Sequence, residues 1–183
     1  MKELSLNILD IAQNSVKAKA ENILIKLVET QDTLTLTIAD DGCGMTEETV
    51  KNVMNPFFTT RTTRNVGMGV PLLKLAAEQT GGGIEIQSVS ENDDPVHHGT
   101  TVTARFNKNH LDFTPLGDIV STVTALIQGA PNINWQFIHQ KDSGSVELDT
   151  AEMRSILGDV PLDSYEVIKW IEDYLKEGYE SIS

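Results

Sequence analysis

Apolar side chains recur at helical spacing across residues 6–20, LNILDIAQNSVKAKA. Ile8, Leu9, Ile11, Ala12 and Val16 gather on one side, as a core-facing stripe does. At about 100° per residue, Asp10, Asn14 and Lys17 fall within roughly 60° of arc, and Asn7 and Gln13 widen that edge to roughly 120°. A solvated face accounts for most polar helix edges, but such faces favour Glu, Lys and Arg. Here Asn recurs with Asp in mid-helix.

Two strands follow, at 23–28 (ILIKLV) and 34–39 (LTLTIA), rich in β-branched residues and joined by the turn ETQDT. The second runs into DDGCGM (40–45), where two glycines free the backbone to turn sharply. Thr46 is placed to cap a short helix that opens with acids. NPFFTTRTTRNVGMG (55–69) is a long polar loop ending in a glycine pair. The pattern of 70–83, VPLLKLAAEQTGGG, predicts a helix with proline near its start and glycine at its stop. Strands are predicted at 84–90 and 100–106, joined by the hairpin loop ENDDPVHHG. Short connections between consecutive strands predict antiparallel pairs. The fold class is therefore α+β: an α/β sandwich with a mixed, mostly antiparallel sheet covered by helices on one face.

After Phe106 the character changes. NKNHLDFTPLG reads as a connector, and 118–129 as an amphipathic helix capped by Asp118. INWQFIHQ and SVELDT form a hairpin around KDSG. A short helix and a longer one follow, the latter with Asp163 and Glu166 at capping-box spacing. This divides the chain into a domain over 1–107 and a small α+β extension over 108–183, structural or partner-facing, in which His139 reads as a packing or surface residue.

Composition removes several function classes. The chain has 183 residues, 39% of them hydrophobic and 22% charged, in keeping with a globular protein. No apolar run approaches the roughly 20 residues of a membrane span. Residues 1–20 lack a signal-peptide layout, which predicts a cytoplasmic protein. One cysteine, Cys43, rules out an internal disulfide framework, and no Cys/His spacing suggests zinc. A net charge of −13 argues against a nucleic-acid surface. Lys51, Arg61 and Arg64 form a local basic cluster, either surface scatter or a loop that approaches phosphates. His97 and His98, in a hairpin loop, read as solvent-exposed.

Four features need one explanation: the Asp10/Asn14/Lys17 edge, DDGCGM at a strand end, a lid-like loop ending in GMG before a helix, and HGTT (98–101) entering the last strand. Glycines before a helix expose backbone N–H groups to an anion. Each feature is weak alone; their joint occurrence in this order is not.

Over about residues 4–106 this set resembles the gyrase/heat-shock chaperone/histidine kinase/MutL (GHKL) superfamily of ATPases and its Bergerat nucleotide-binding fold. DIAQNSVKA resembles the N box, DDGCGM the first glycine box, NPFFTT the F box, GMGV the second glycine box and GTT the third glycine element. The resemblance implies ATP and Mg2+ as cofactors. It implies that Asn14 ligates Mg2+ through its amide oxygen, a hard donor of the kind this ion takes. Lys17 would meet a phosphate as a point charge. Asp40 would accept a hydrogen bond from the adenine amino group, for which a carboxylate is a pure acceptor. Gly42, Gly44 and Met45 would pass close to the base, and Thr100 or Thr101 would complete its contacts. Phe57, Thr59 and Thr60 belong to the lid, with Arg61 or Arg64 reaching inward. Gly67, Met68, Gly69 and Val70 open the next helix toward the phosphates. Asp10 stands where the hydrolysing and serine-kinase branches carry a glutamate general base, one methylene shorter here.

PFFTT followed by GMGVPLLK is most similar to the kinase branch, and QNSVKAKA is also similar to the mismatch-repair branch. Sensor histidine kinases carry a dimerisation region with an acceptor histidine ahead of the N box. This sequence begins about a turn before it, so the expectation is a stand-alone histidine-kinase-like protein. The strand that precedes the N-box helix in the family is also missing, and a strand from 133–148 is expected to dock onto that sheet edge. About 75 residues follow the module, too few for the long transducer domains of gyrase or MutL. The expected activity is that of a serine/threonine or histidine protein kinase acting on a separate protein partner, as in anti-sigma-factor kinases. The alternatives are a slow ATPase or a non-catalytic ATP-gated switch. Asp10 discriminates, because only the first two need a base. Neither nucleic acid nor membrane is expected as a partner, and a homodimer is compatible with the sequence.

Overall fold

A computed structural model describes residues 3–55 and 69–183. The helix α1 (Leu4–Lys17) leads into the strands β1 (Asn22–Glu29) and β2 (Thr33–Asp40). Next come α2 (Glu47–Val53), α3 (Gly69–Gln79), β3 (Gly83–Val89) and β4 (Gly99–Asn107). The chain then adds α4 (Ile119–Gly129), β5 (Asn134–Lys141), β6 (Gly144–Asp149), α5 (Thr150–Leu157) and α6 (Tyr165–Ile182). The strands form one mixed sheet in the order β3-β4-β2-β1-β5-β6. Every pairing is antiparallel except β1 with β5. Residues 134–141 therefore occupy the edge of β1, as the sequence predicts for the 133–148 segment.

Register makes one face apolar. Ile25 lies opposite Ile38 and Phe137, Ile38 opposite Val102, Leu36 opposite Ala104, and Phe137 opposite Leu148. All are buried. Because strand side chains alternate, a one-residue slip in any pair would turn such a row to the other face. Helices α1, α3 and α6 pack on the sheet, and α4 fits between α1 and α6. The opposite face of β2 carries Thr33, Thr35 and Thr37, none of them buried. None of the described helices is long and apolar enough to cross a membrane.

Local signals explain some helix starts. Thr46 caps α2 by accepting from the Thr49 N–H, and Asp118 caps α4 by accepting from Ser121. The expected Asp163/Glu166 capping box does not form. Ser164 is the N-cap of α6, with no side-chain cap bond. That helix is held by the burial of Val167, Ile171 and Leu175 instead. Asn7 also departs from expectation: it is fully buried, and neither amide atom has a partner among the described residues. Both α3 and α4 pack on α1, so its buried arc is wider than the apolar stripe alone indicates.

His139 fastens α6 to the sheet. The ring is 1% exposed, with Nε2 2.9 Å from Glu29 Oε1 and Nδ1 2.7 Å from the Tyr179 hydroxyl. The tautomer that satisfies both donates from Nε2 to the carboxylate and accepts from the tyrosine. Lys108 Nζ lies 2.7 Å from Glu29 Oε2, and Lys141 sits over the Tyr179 ring. Burial pushes His139 below its ordinary value, outweighing the hydrogen bond and charge of Glu29, which raise it. Burial also pushes Tyr179 up, so it stays protonated. Glu29 is raised by burial, but bonds from Lys108 and His139 bring it net below its usual range.

A base with a depressed folded pKa holds fewer protons folded than unfolded, so its stability contribution is complete above the unfolded value and is lost as pH falls. For His139 that loss begins near the ordinary value of 6.5. The thermal midpoint should therefore fall between pH 7.5 and 5.5, and His139→Gln should flatten that slope. Equal slopes in the two proteins would assign the effect to other groups.

Candidate functional site

A cavity of ≈ 180 Å³ opens between α1, the end of β2, the glycine turn that follows it and the start of β4. Its lining brings together Asn14, Lys17, Asp40, Gly44, Met45, Val70 and Thr100 from the sequence-predicted set. Apolar walls come from Ile11, Ile38, Val53, Ile86 and Val102. The sheet explains much of this: Ile38 and Asp40 share a face of β2 at two-residue spacing, and Thr100 and Val102 share a face of β4. The combination is apolar with a few fixed polar groups, which suits a heteroaromatic ring.

Asp40 is held at both oxygens. Ser15 Oγ donates to Oδ2 at 2.5 Å, and the Gly42 N–H donates to Oδ1 at 2.9 Å. A carboxylate offers about four acceptor positions, so capacity remains for a donor in the cavity. Its neighbour Asp41 has a different task. It accepts from the Glu21 and Asn22 backbone N–H groups and from Asn22 Nδ2, tying the turn to the start of β1. Partial burial raises Asp41, but these bonds hold it net below its ordinary value.

The glycine turn is fitted tightly to its surroundings. Gly44 has φ +70, and a Cβ there would lie 1.8 Å from the Val89 carbonyl oxygen, so no side chain fits. The Met45 N–H donates to Ser88 Oγ at 2.8 Å, and that hydroxyl lies 2.7 Å from Thr100 Oγ1. The Cys43 N–H donates to the Ala18 carbonyl at 3.0 Å. His98 corrects the expectation of a solvated loop histidine. It is half-buried, and its Nδ1 donates to the Gly42 carbonyl at 2.5 Å, while His97 is exposed. The loop folds back over the turn and so covers one histidine and not the other.

Other predicted residues lie elsewhere. Asp10 is exposed and is not part of the cavity lining. It stands against the start of α3, where a Cβ on Gly69 would come within 3.0 Å of the Asp10 Cβ. Gly42 contributes its N–H to Asp40 rather than a wall. Thr101, paired with Ala39 and Gln87, is not in the lining. Phe57, Thr59, Thr60, Arg61, Arg64, Gly67 and Met68 lie outside the described residues. Sequence reasoning missed Ser15, Ser88 and His98. Ser15 directly follows Asn14, and Ser88 is the cross-strand partner of Thr100, so both were within reach of the pattern.

Comparisons with known proteins bear on the family and the fold. Residues 2–110 match the family described as histidine kinase-, DNA gyrase B-, and HSP90-like ATPase. The chain is 31% identical over 90 residues to the sensor protein KdpD of Clostridium acetobutylicum, covering 46% of this chain and 10% of that one. It is 30% identical over 87 residues to a putative sensor protein of Shewanella frigidimarina, covering 47% and 13%. It is 29% identical over 89 residues to the C4-dicarboxylate transport sensor protein DctB of Pseudomonas aeruginosa, covering 47% and 14%. The shared stretch is thus a small part of each of these relatives. Among solved structures, the Aquifex aeolicus MutL ATPase domain complexed with ADP superposes with TM-score 0.54 at 12% identity, covering 86% of this chain and 69% of that one. A family match over more than half the chain and the shared fold lead to one conclusion: the chain belongs to the histidine kinase-, DNA gyrase B- and HSP90-like ATPase family, the GHKL group, whose ATPase domains bind ATP.

Proposed function

We propose that this protein binds Mg-ATP in the α1/β2/β4 cavity and transfers the γ-phosphoryl group to a separate protein partner, as a serine/threonine or histidine kinase in the cytoplasm. The observation that carries the nucleotide reading is Asp40, pre-oriented by Ser15 and Gly42 at the end of an apolar slot. In this reading residues 1–107 are the ATP unit and 108–183 an extension of it.

The donor chemistry fits magnesium. Asn14 supplies an amide oxygen at the cavity wall, and Lys17, one turn on, supplies a positive charge. Among the described residues no group of three or more His, Cys, Asp or Glu side chains could hold a metal ion. The remaining ligands would be nucleotide oxygens and water, as this ion prefers. When bound, Mg2+ neutralises phosphate charge.

Asp10 is the proposed base. An acceptor hydroxyl or imidazole attacks the γ-phosphorus, the bond to the β–γ bridging oxygen breaks, and ADP leaves with that electron pair. The acceptor's proton passes to the Asp10 carboxylate, directly or through one water. A second reading has specific support: Asp10 lies outside the cavity lining, as in a non-catalytic protein whose partner binding is gated by ATP. Slow hydrolysis without a partner would need the same base acting on water.

Four variants test these readings. Asp10→Asn should keep nucleotide affinity and lower γ-phosphate transfer or release by about 100-fold or more, the usual scale for losing a general base. Equal, measurable turnover in wild type and Asp10→Asn would remove Asp10 from catalysis. Asn14→Ala should weaken Mg-ATP binding while changing Mg-free nucleotide binding little. His98→Ala should weaken nucleotide affinity about five-fold, the scale of one hydrogen bond. His98→Asn, which keeps a donor near the same place, should stay within about two-fold. Titration calorimetry with a non-hydrolysable ATP analogue, with and without Mg2+, reads the binding outcomes, and γ-labelled ATP reads turnover.

A further inference from the structure

A second concave surface lies far along the sheet from the nucleotide cavity. Beside β6 a groove of ≈ 420 Å³ runs between α5 and α6. Its floor is apolar, formed by Phe137, Leu148 and Met153. One wall is Trp170 and Tyr174, whose rings stack at 5.1 Å and 16°. They remain 53% and 42% exposed, and Ile156 on the other wall is 84% exposed. Large aromatic groups held in a fixed stack yet left in water are a common mark of an interaction surface.

The polar part of the lining has one sign. Glu147, Asp149 and Glu152 contribute to it, and no Lys, Arg or His among the described residues does. None of the three forms an ion pair among the described residues. Asp149 is used as the cap of α5, and Glu147 alternates with the buried Leu148 and so turns to the other face of β6, which leaves Glu152 on α5 to meet a cation. Among the described residues strand β6 ends the sheet, so one of its edges carries ladder groups that an extended chain can use.

We propose that this groove binds an extended, basic segment of a partner protein, which places one large apolar side chain on the Phe137/Leu148/Met153 floor and a Lys or Arg side chain against Glu152. Charge complementarity selects this occupant over a second copy of the chain. With 27 acidic residues against 14 basic ones, a second copy would bring mostly like charge to an acidic rim.

The test is selection of phage-displayed random dodecapeptides on the full chain. Enriched peptides should be rich in Lys and Arg around a large apolar residue. Synthetic versions should lose at least ten-fold in affinity against Trp170→Ser and against Glu152→Lys. Binding should weaken with salt and should slow hydrogen exchange of the Gly144–Asp149 amides. Thermal midpoints and ADP binding of the variants, read alongside, separate loss of the groove from loss of the fold. The proposal is overturned if nothing is enriched, if enriched peptides are acidic, or if they bind both variants as well as wild type. It is also overturned if sedimentation shows a wild-type dimer that Trp170→Ser dissociates, which would assign the groove to a second copy.

Discussion

Two hydrogen bonds hold the Asp40 carboxylate, one from the Ser15 hydroxyl at 2.5 Å and one from the Gly42 N–H at 2.9 Å. They join three elements that carry the site: helix α1, the end of β2 and the glycine turn. The Ser15 bond fixes the rotation of α1 over the sheet. A turn of one residue about the helix axis, roughly 100°, would carry Asn14 and Lys17 away from the cavity. The Gly42 bond fixes the path of the turn, so Gly44 and Met45 arrive at the wall. A carboxylate already oriented in this way spends little further entropy when it accepts a donor. The rest of the cavity is packing around that arrangement.

The turn is held from its other side as well. Cys43 bonds to the Ala18 carbonyl, Met45 to Ser88, and the Gly42 carbonyl accepts from His98. Helix α1, β3 and the β3–β4 loop all grip one short segment, which explains why a glycine-rich sequence is ordered here. At the far end of the sheet a separate polar network, Lys108–Glu29–His139–Tyr179, ties α6 to β1 and β5. The parallel pairing of β5 with β1 is what lets the C-terminal segment share the core of the ATPase sheet. Phe137 and Leu148 extend the same apolar face that Ile25 and Ile38 begin.

Much of this was legible in the sequence, for physical reasons. Period-two alternation in ILIKLV and LTLTIA, Thr46 and Asp118 as caps, and the glycine pair in DDGCGM act locally, so a local reading finds them. Asn14, Lys17, Asp40 and Thr100 came from matching motif positions, and they meet in one cavity. What was not legible depends on distant partners. His98 looked solvated because the Gly42 carbonyl it reaches is 56 positions away. Asn7 looked like part of the polar edge because nothing in a single helix says that two other helices will pack on it. Asp163 matched a capping box by spacing, yet α6 starts after Ser164 because the burial of Val167, Ile171 and Leu175 sets its position. Thr100 and Thr101 could not be separated until the register of β4 was known.

The central claim is that Asp40 reads a purine 6-amino group in the cavity between α1 and the sheet. Titration calorimetry of the full chain with ATP and with inosine triphosphate, in Mg2+, tests it directly, since the second nucleotide carries a carbonyl where the first carries the amino donor. Losing one hydrogen bond to a charged group costs about 1.5–3 kcal/mol, so ATP should bind roughly ten- to a hundred-fold more tightly. Equal affinity for the two nucleotides would contradict the claim and would mean that the Asp40 carboxylate does not face the base.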